Sequence, residues 1–256
     1  MSDLTISASS LSTFSRCSQQ YKWQFLDKIE PEDGGVSIYA IFGTTLHKAL
    51  ELHFRYKLGL DELKKAWRSL IIAICTETKG LSLPSEKEFE ENASRGVAQL
   101  ENVQKMIERW EGYRVLDVEK YHRVPFDNKY VKNVFLSGRL DLVLKSDDGL
   151  FVCLDWKTSK TKDSDMGQNV QLTFYSMFVN DMYGCEFESI YGALAYPHDG
   201  EILFTQRSKE DVLNLYKQVN NMLERVNIKD FIKEPKLNTR KGDCFFCPYK
   251  KRCMND

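Results

Sequence analysis

The sequence predicts an α/β protein of one domain, with a helical N-terminal lobe (1–111), an α/β core (112–228) and a short cysteine-rich tail (229–256). Three observations predict it. Apolar residues recur at helical spacing through the first lobe. Two alternating, β-branched runs then flank Asp147-Asp148-Gly149, which reads as a β-hairpin. Beyond the hairpin, helix-like and strand-like stretches alternate, as they do in layered α/β cores.

Each element follows in order. Ser7 to Ser10 offer capping hydroxyls to a helix over 7–28, and Leu11, Phe14, Tyr21 and Phe25 supply its apolar face. The acidic, glycine-containing stretch 30–35 reads as a loop. A second helix covers 38–58, where Gly43, His47, Leu50 and Phe54 recur at helical intervals, so His47 points where the apolar residues point. Two more helices, 60–79 and 85–111, are split by Gly80-Leu-Ser-Leu-Pro84. Strand character begins near 115–119 and returns at 131–144 and 150–157. A helix over 168–183 leads to strands at 189–196 and 202–206, joined by the turn Pro197-His-Asp-Gly200. Ser208 opens a last helix, to about residue 227.

Composition narrows the class. With 42% hydrophobic and 12% aromatic residues in 256, the chain can bury a real core, which excludes wholesale disorder. No apolar run reaches the roughly 18 residues of a membrane span. The N-terminus lacks a basic-then-apolar signal pattern, so a soluble, cytoplasmic protein with no membrane partner is expected. Seven cysteines, an odd number, argue against a disulfide framework and for thiols or metal ligands. A net charge of -1 excludes a uniformly basic nucleic-acid binder and leaves local basic patches as the route to such binding.

The hairpin carries the chemistry. Side chains alternate faces along a strand, so Arg139, Asp141 and Val143 share one face, and Cys153, Asp155 and Lys157 share another. A turn centred on Asp148 sets Asp141 directly across from Asp155; a one-residue slip would send them to opposite faces. Opposed carboxylates about 5 Å apart repel, and a divalent cation turns that repulsion into a site. With Lys157 beside them, the natural reaction is metal-assisted hydrolysis of a phosphodiester by Mg²⁺ or Mn²⁺. The same pattern also describes a surface hairpin with a weak ion pair. His47 alone reads as a core histidine; added to two carboxylates it favours Mn²⁺, because nitrogen suits the softer ion. Gln171 and Tyr175, one helical turn apart, either orient a phosphate or base or form a polar helix edge.

The tail is a second signal. Cys244, Cys247 and Cys253 give three thiolates within ten residues, and Cys17 in the first helix is the candidate fourth. Zinc and an iron–sulfur cluster both accept four thiolates, and spacing alone does not choose. Cys75, Cys153 and Cys185 read as small core residues.

Five blocks together resemble the RecB-like branch of the PD-(D/E)XK nucleases whose members carry an iron–sulfur cluster, among them the AddB nuclease domain and small exonucleases of CRISPR adaptation and phages. They are Leu11-Ser-Thr-Phe-Ser-Arg-Cys17, Phe42-Gly-Thr-Thr-Leu-His47, Gly138-Arg-Leu-Asp141 with Asp155-Trp-Lys157, Gln171-Leu-Thr-Phe-Tyr175, and Cys244-x-x-Cys247-Pro-x-x-x-x-Cys253. The resemblance implies a mixed central sheet flanked by helices, a restriction-endonuclease-like core. It implies His47, Asp141, Asp155 and the Trp156 carbonyl as ligands of Mn²⁺ or Mg²⁺, and Lys157 as the catalytic lysine. Gln171 and Tyr175 look like its substrate-holding pair. Cys17, Cys244, Cys247 and Cys253 look like ligands of a [4Fe–4S] cluster that pins the tail to the first helix. Glu119 falls where some members carry an acidic residue.

The expected activity is that of a DNA exonuclease acting on single strands or ends, in recombination, repair or phage DNA metabolism, within a bacterial or phage-infected cell. A recombinase, single-strand-binding protein, helicase or integrase are the expected kinds of protein partner. Aromatic residues of the helical lobe are expected to stack bases. Lys236, Arg240, Lys241, Lys250, Lys251 and Arg252 are expected to line the DNA path. Two further readings share these motifs: a CRISPR-adaptation nuclease that trims spacer precursors with an integrase, and a non-catalytic iron–sulfur scaffold that binds nucleic acid.

Overall fold

The computed structural model describes residues 3–31, 38–78, 85–163, 165–233, 244 and 247–255. Residues 32–35 of the loop expected at 30–35, the break at 80–84, and Lys236, Arg240 and Lys241 lie outside them. The elements are β1 (Leu4–Ile6), α1 (Ala8–Arg16), α2 (Ser18–Tyr21), α3 (Ile38–Tyr56), α4 (Leu60–Glu77), α5 (Glu86–Ile107), β2 (Tyr113–Pro125), β3 (Val134–Ser146), β4 (Phe151–Trp156), α6 (Val170–Tyr183), β5 (Ile190–Tyr196), β6 (Glu201–Gln206), α7 (Lys209–Asn227) and α8 (Lys250–Asn255). No helix among the described residues is long and apolar enough to cross a membrane.

The strands form one mixed six-stranded sheet in the order β1-β3-β4-β5-β6, with β2 also paired to β3. β1/β3 and β4/β5 are parallel; β3/β4 and β5/β6 are antiparallel. In the hairpin, Leu142 pairs with Leu154 and Lys145 with Phe151. That register is the one that a turn centred on Asp148 dictates. Antiparallel neighbours need only a tight turn, whereas the parallel β4/β5 pair needs a crossover, and α6 supplies it.

By contact the chain divides into two compact units, each built from separated stretches. The larger comprises 35–122 and 139–209. Its core joins α3, α4 and α5 to one face of the sheet, through Leu46, Leu50, Phe54, Trp67, Leu142, Leu154 and Trp156. The other face of β4 and β5 meets α6. Ser85 and Glu88 form a reciprocal capping box that starts α5. Gly184 ends α6 in the left-handed conformation that favours glycine. Gly96 lets α5 press against α4: a Cβ there would sit 2.1 Å from the Trp67 ring.

The smaller unit comprises 1–34, 123–138 and 210–256. The single helix expected over 7–28 is broken. Cys17 is extended, with φ -159° and ψ 108°, and it ends α1 and caps α2 at once. Its sulfur accepts from the Gln20 amide at 3.4 Å, so the thiol replaces a helical turn as hydrogen-bond partner. A π-helical turn, Lys22–Leu26, follows. The incoming tail is tied here. Ser18 Oγ accepts from the Ile232 amide at 2.8 Å and from Arg225 at 3.1 Å. Tyr249, 1% exposed, donates to the Ile29 carbonyl at 2.8 Å and packs on Trp23.

Candidate active site

The two aspartates lie where β3 and β4 part. Ladder pairing reaches Leu142 and Leu154, and one step beyond it Asp141 faces Asp155. The Trp156 amide donates to Asp141 Oδ2 at 2.8 Å, so a carboxylate replaces the ladder acceptor. β4 stays bound on its other edge, where the Lys157 amide donates to the Ala195 carbonyl at 2.8 Å. Alternation then does the rest: Asp155 and Lys157 face α6, while the Trp156 indole packs with Phe54 and Trp110.

His47 reaches the site from α3. Its Nε2 is 3.1 Å from the Trp156 carbonyl, and its Nδ1 is 3.5 Å from both Asp141 Oδ2 and Glu119 Oε1. One ligand atom each from His47, Glu119 and Asp141 lies within 4.8 Å of the others. Asp155 stands outside this trio and is held by the lysine and by α6. Lys157 Nζ is 2.8 Å from Asp155 Oδ2 and donates to Gln171 Oε1 at 2.9 Å. The first contact is an ion pair to a buried carboxylate oxygen. Gln171 Nε2 donates to Asp155 Oδ1 at 2.5 Å and to Tyr175 Oη at 3.0 Å. Tyr175 donates to the Arg139 carbonyl at 2.5 Å. The amide of Gln171 is thus fully committed, which fixes its orientation.

The electrostatics call for a cation. Asp141 and Asp155 are 7% and 4% exposed. Burial, with repulsion from Asp155 and Glu119, holds the Asp141 carboxyl far above the ordinary carboxylate range, despite His47 and the Trp156 amide. Burial opposes charge on His47, but Glu119, Asp141 and Asp155 outweigh it and push its pKa up to about 9. Burial also opposes charge on Lys157, but Asp155 more than compensates and raises it. A histidine and carboxylate oxygens at this spacing suit Mn²⁺ or Mg²⁺.

Two contributions were hard to see in sequence. Glu119 has φ 47° in the middle of β2, a left-handed conformation that no strand pattern predicts. Arg207, 3% exposed, donates to the carbonyls of Met166, Gly167 and Asn169. It fixes the turn before α6, where Asn169 caps the Leu172 amide at 3.0 Å, within the same first turn as Gln171.

The four tail and helix cysteines are arranged differently. All are free thiols. Burial raises Cys247, and the facing Cys17, Cys244 and Cys253 add to the shift. Among the described residues these sulfurs do not form a group as tight as the His47 trio.

No match was found among curated proteins. Among solved structures, the crystal structure of SSO0001 is similar over 94% of this chain and 92% of that chain, at 12% identity and a TM-score of 0.38, a likeness too weak to argue from. The family match is broad: residues 5–254 fit the description of a PD-(D/E)XK nuclease superfamily domain. With that match over nearly the whole chain, on a mixed sheet flanked by helices, the protein belongs to the PD-(D/E)XK nuclease superfamily.

Proposed function

We propose that the protein is a Mg²⁺- or Mn²⁺-dependent deoxyribonuclease that hydrolyses phosphodiester bonds from DNA ends, an exonuclease of the RecB-like iron–sulfur type. Superfamily membership implies metal-dependent nuclease action on DNA. The observation that supports metal-dependent hydrolysis at this site is the convergence of His47, Glu119 and Asp141 beside a lysine already held by a buried carboxylate.

His47, Glu119 and Asp141 would hold the ion, with Asp155 and the Trp156 carbonyl next to them. A bound divalent ion supplies charge neutralisation at the phosphate and activation of water. Lys157 presents a fixed ammonium to the charge that develops on phosphorus. Gln171 and Tyr175 keep the Asp155 carboxylate and the Lys157 amine in register. Burial limits competing water and strengthens each of these interactions.

The test is digestion of end-labelled single- and double-stranded DNA, blocked at either end, with Mg²⁺ or Mn²⁺ and an EDTA control. Metal-dependent release of short products from an open end supports the reading. Cutting of circular DNA at the same rate would replace "exonuclease" by "endonuclease".

The same reading places a [4Fe–4S] cluster on Cys17, Cys244, Cys247 and Cys253. Four free thiols, three of which act electrostatically on the fourth, Cys247, support it. Anaerobic preparation should yield four iron and four labile sulfide per chain, the stoichiometry of that cluster. One zinc per chain and no iron would replace it.

A further inference from the structure

We infer that a cavity beside the active site is a subsite for one unpaired nucleotide of the DNA strand being cut. This rests on the nuclease reading above and deepens it. The cavity holds about 600 Å³ and is lined by Tyr39, Gly43, Arg95, Gln99, Thr158 and Lys160, among others. That volume suits a small organic ligand.

Its position is set by chain continuity. Gly43 lies one turn before His47 on α3, and Thr158 directly follows Lys157. A Cβ on Gly43 would sit 3.2 Å from Thr158 Oγ1, so α3 meets the end of the catalytic strand along this wall. A strand whose phosphate lies at Lys157 therefore has its neighbouring nucleotide within reach of the cavity.

The lining answers three features of a nucleotide: the face of its base, its phosphate and the polar edge of its base. Tyr39 is 61% exposed and offers a flat face for a base. The Arg95 guanidinium lies 5.7 Å from that ring. Neither Arg95 nor Lys160 has a carboxylate partner among the described residues, so two positive charges are available for phosphate. Gln99 is 6% exposed and lines the cavity, with no side-chain hydrogen bond among the described residues. A buried amide so placed suits the polar edge of a base. Bases in a duplex keep their faces stacked and their pairing edges occupied, so only an unpaired nucleotide uses all three.

The test is equilibrium binding by the intact protein, without divalent metal so that no cleavage intervenes. The probes are a fluorescein-labelled single-stranded oligothymidylate and a blunt duplex of matched length. Tyr39→Ala should weaken single-strand binding about tenfold, the value of one lost base–aromatic stack, and duplex binding by clearly less. Tyr39→Phe should restore single-strand binding. Arg95→Gln should weaken it and lower the salt slope by about one phosphate contact. An equal loss on both probes, or none, overturns the subsite. The nuclease reading fails separately, if wild-type protein binds either probe yet cuts neither DNA with Mn²⁺.

Discussion

The two candidate ligand sets of this chain are built in opposite ways. The histidine and carboxylates stand on α3, β2, β3 and β4, with Glu119 at a left-handed residue of β2 and Asp155 braced by Gln171 and Tyr175 from α6. The thiols stand on irregular backbone: Cys17 at a break between helices, Cys244 in a turn, Cys247 just before one, Cys253 in a six-residue helix. The first set is preorganised, and buried like charges strain it when no ion is bound. The second relies on short anchors from Ser18 and Tyr249, so a ligand there contributes to folding itself. Removing metal should therefore cost function at one end and order at the other.

Substitutions at the carboxylate site test the first half of that contrast, with the largest effect expected. Asp155→Ala and Lys157→Ala should each lower cleavage by about 10³-fold or more with unchanged circular dichroism. A substantially active Asp155→Ala protein would mean that the braced site is not where chemistry occurs. Next in size, Tyr249→Ala should cost about 3 kcal/mol in chemical denaturation, because it empties a buried aromatic site and orphans the Ile29 carbonyl. If stability does not change, the tail anchor is not an anchor.

Asp141→Asn sharpens the comparison further, since it should abolish cleavage yet raise the stability of metal-free protein by on the order of 1 kcal/mol. A lower melting temperature would show that this carboxylate is no burden.

The pH response follows from two raised groups. Protonated His47 stabilises the folded metal-free chain fully below its unfolded value near 6.5, and that contribution is lost as pH rises through about 9. Raised Asp141 acts in the same sense, because its protonated form is the one that burial favours. Metal-free melting temperature should then fall from pH 6 to pH 9. With Mn²⁺ the slope should reverse, since the ion competes with those protons. Parallel slopes with and without Mn²⁺ would separate these groups from the metal. The smallest effect belongs to the tail surface: neutralising Lys250, Lys251 and Arg252 should flatten the salt dependence of DNA binding by about one contact per charge removed.

Much of the sheet was legible because its signals are local. Asp147-Asp148-Gly149 fixes a turn, alternation fixes faces, and together they give the hairpin register without knowledge of the rest. β1 was not legible: three residues are too few for a period, and they pair in parallel with a strand far along the chain. The break at Cys17 was hidden because Leu11, Phe14, Tyr21 and Phe25 keep helical spacing across it. At the site, residue types and spacing mark Asp141, Asp155 and Lys157, and the family resemblance adds His47, but neither says how they are shared. That Glu119 joins the histidine trio, while Asp155 is held by lysine and amide, depends on one backbone angle and on hydrogen bonds from α6. Sequence periodicity carries neither.

Trp156 ties these layers together. Its amide holds Asp141, its carbonyl faces His47, and its indole lies among Phe54 and Trp110. A shift of a few tenths of an ångström in that aromatic stack is therefore also a displacement of two prospective ligands. Variants selected only for a tighter interior would be expected to drift out of catalytic alignment, and the interior of this protein cannot evolve independently of its chemistry.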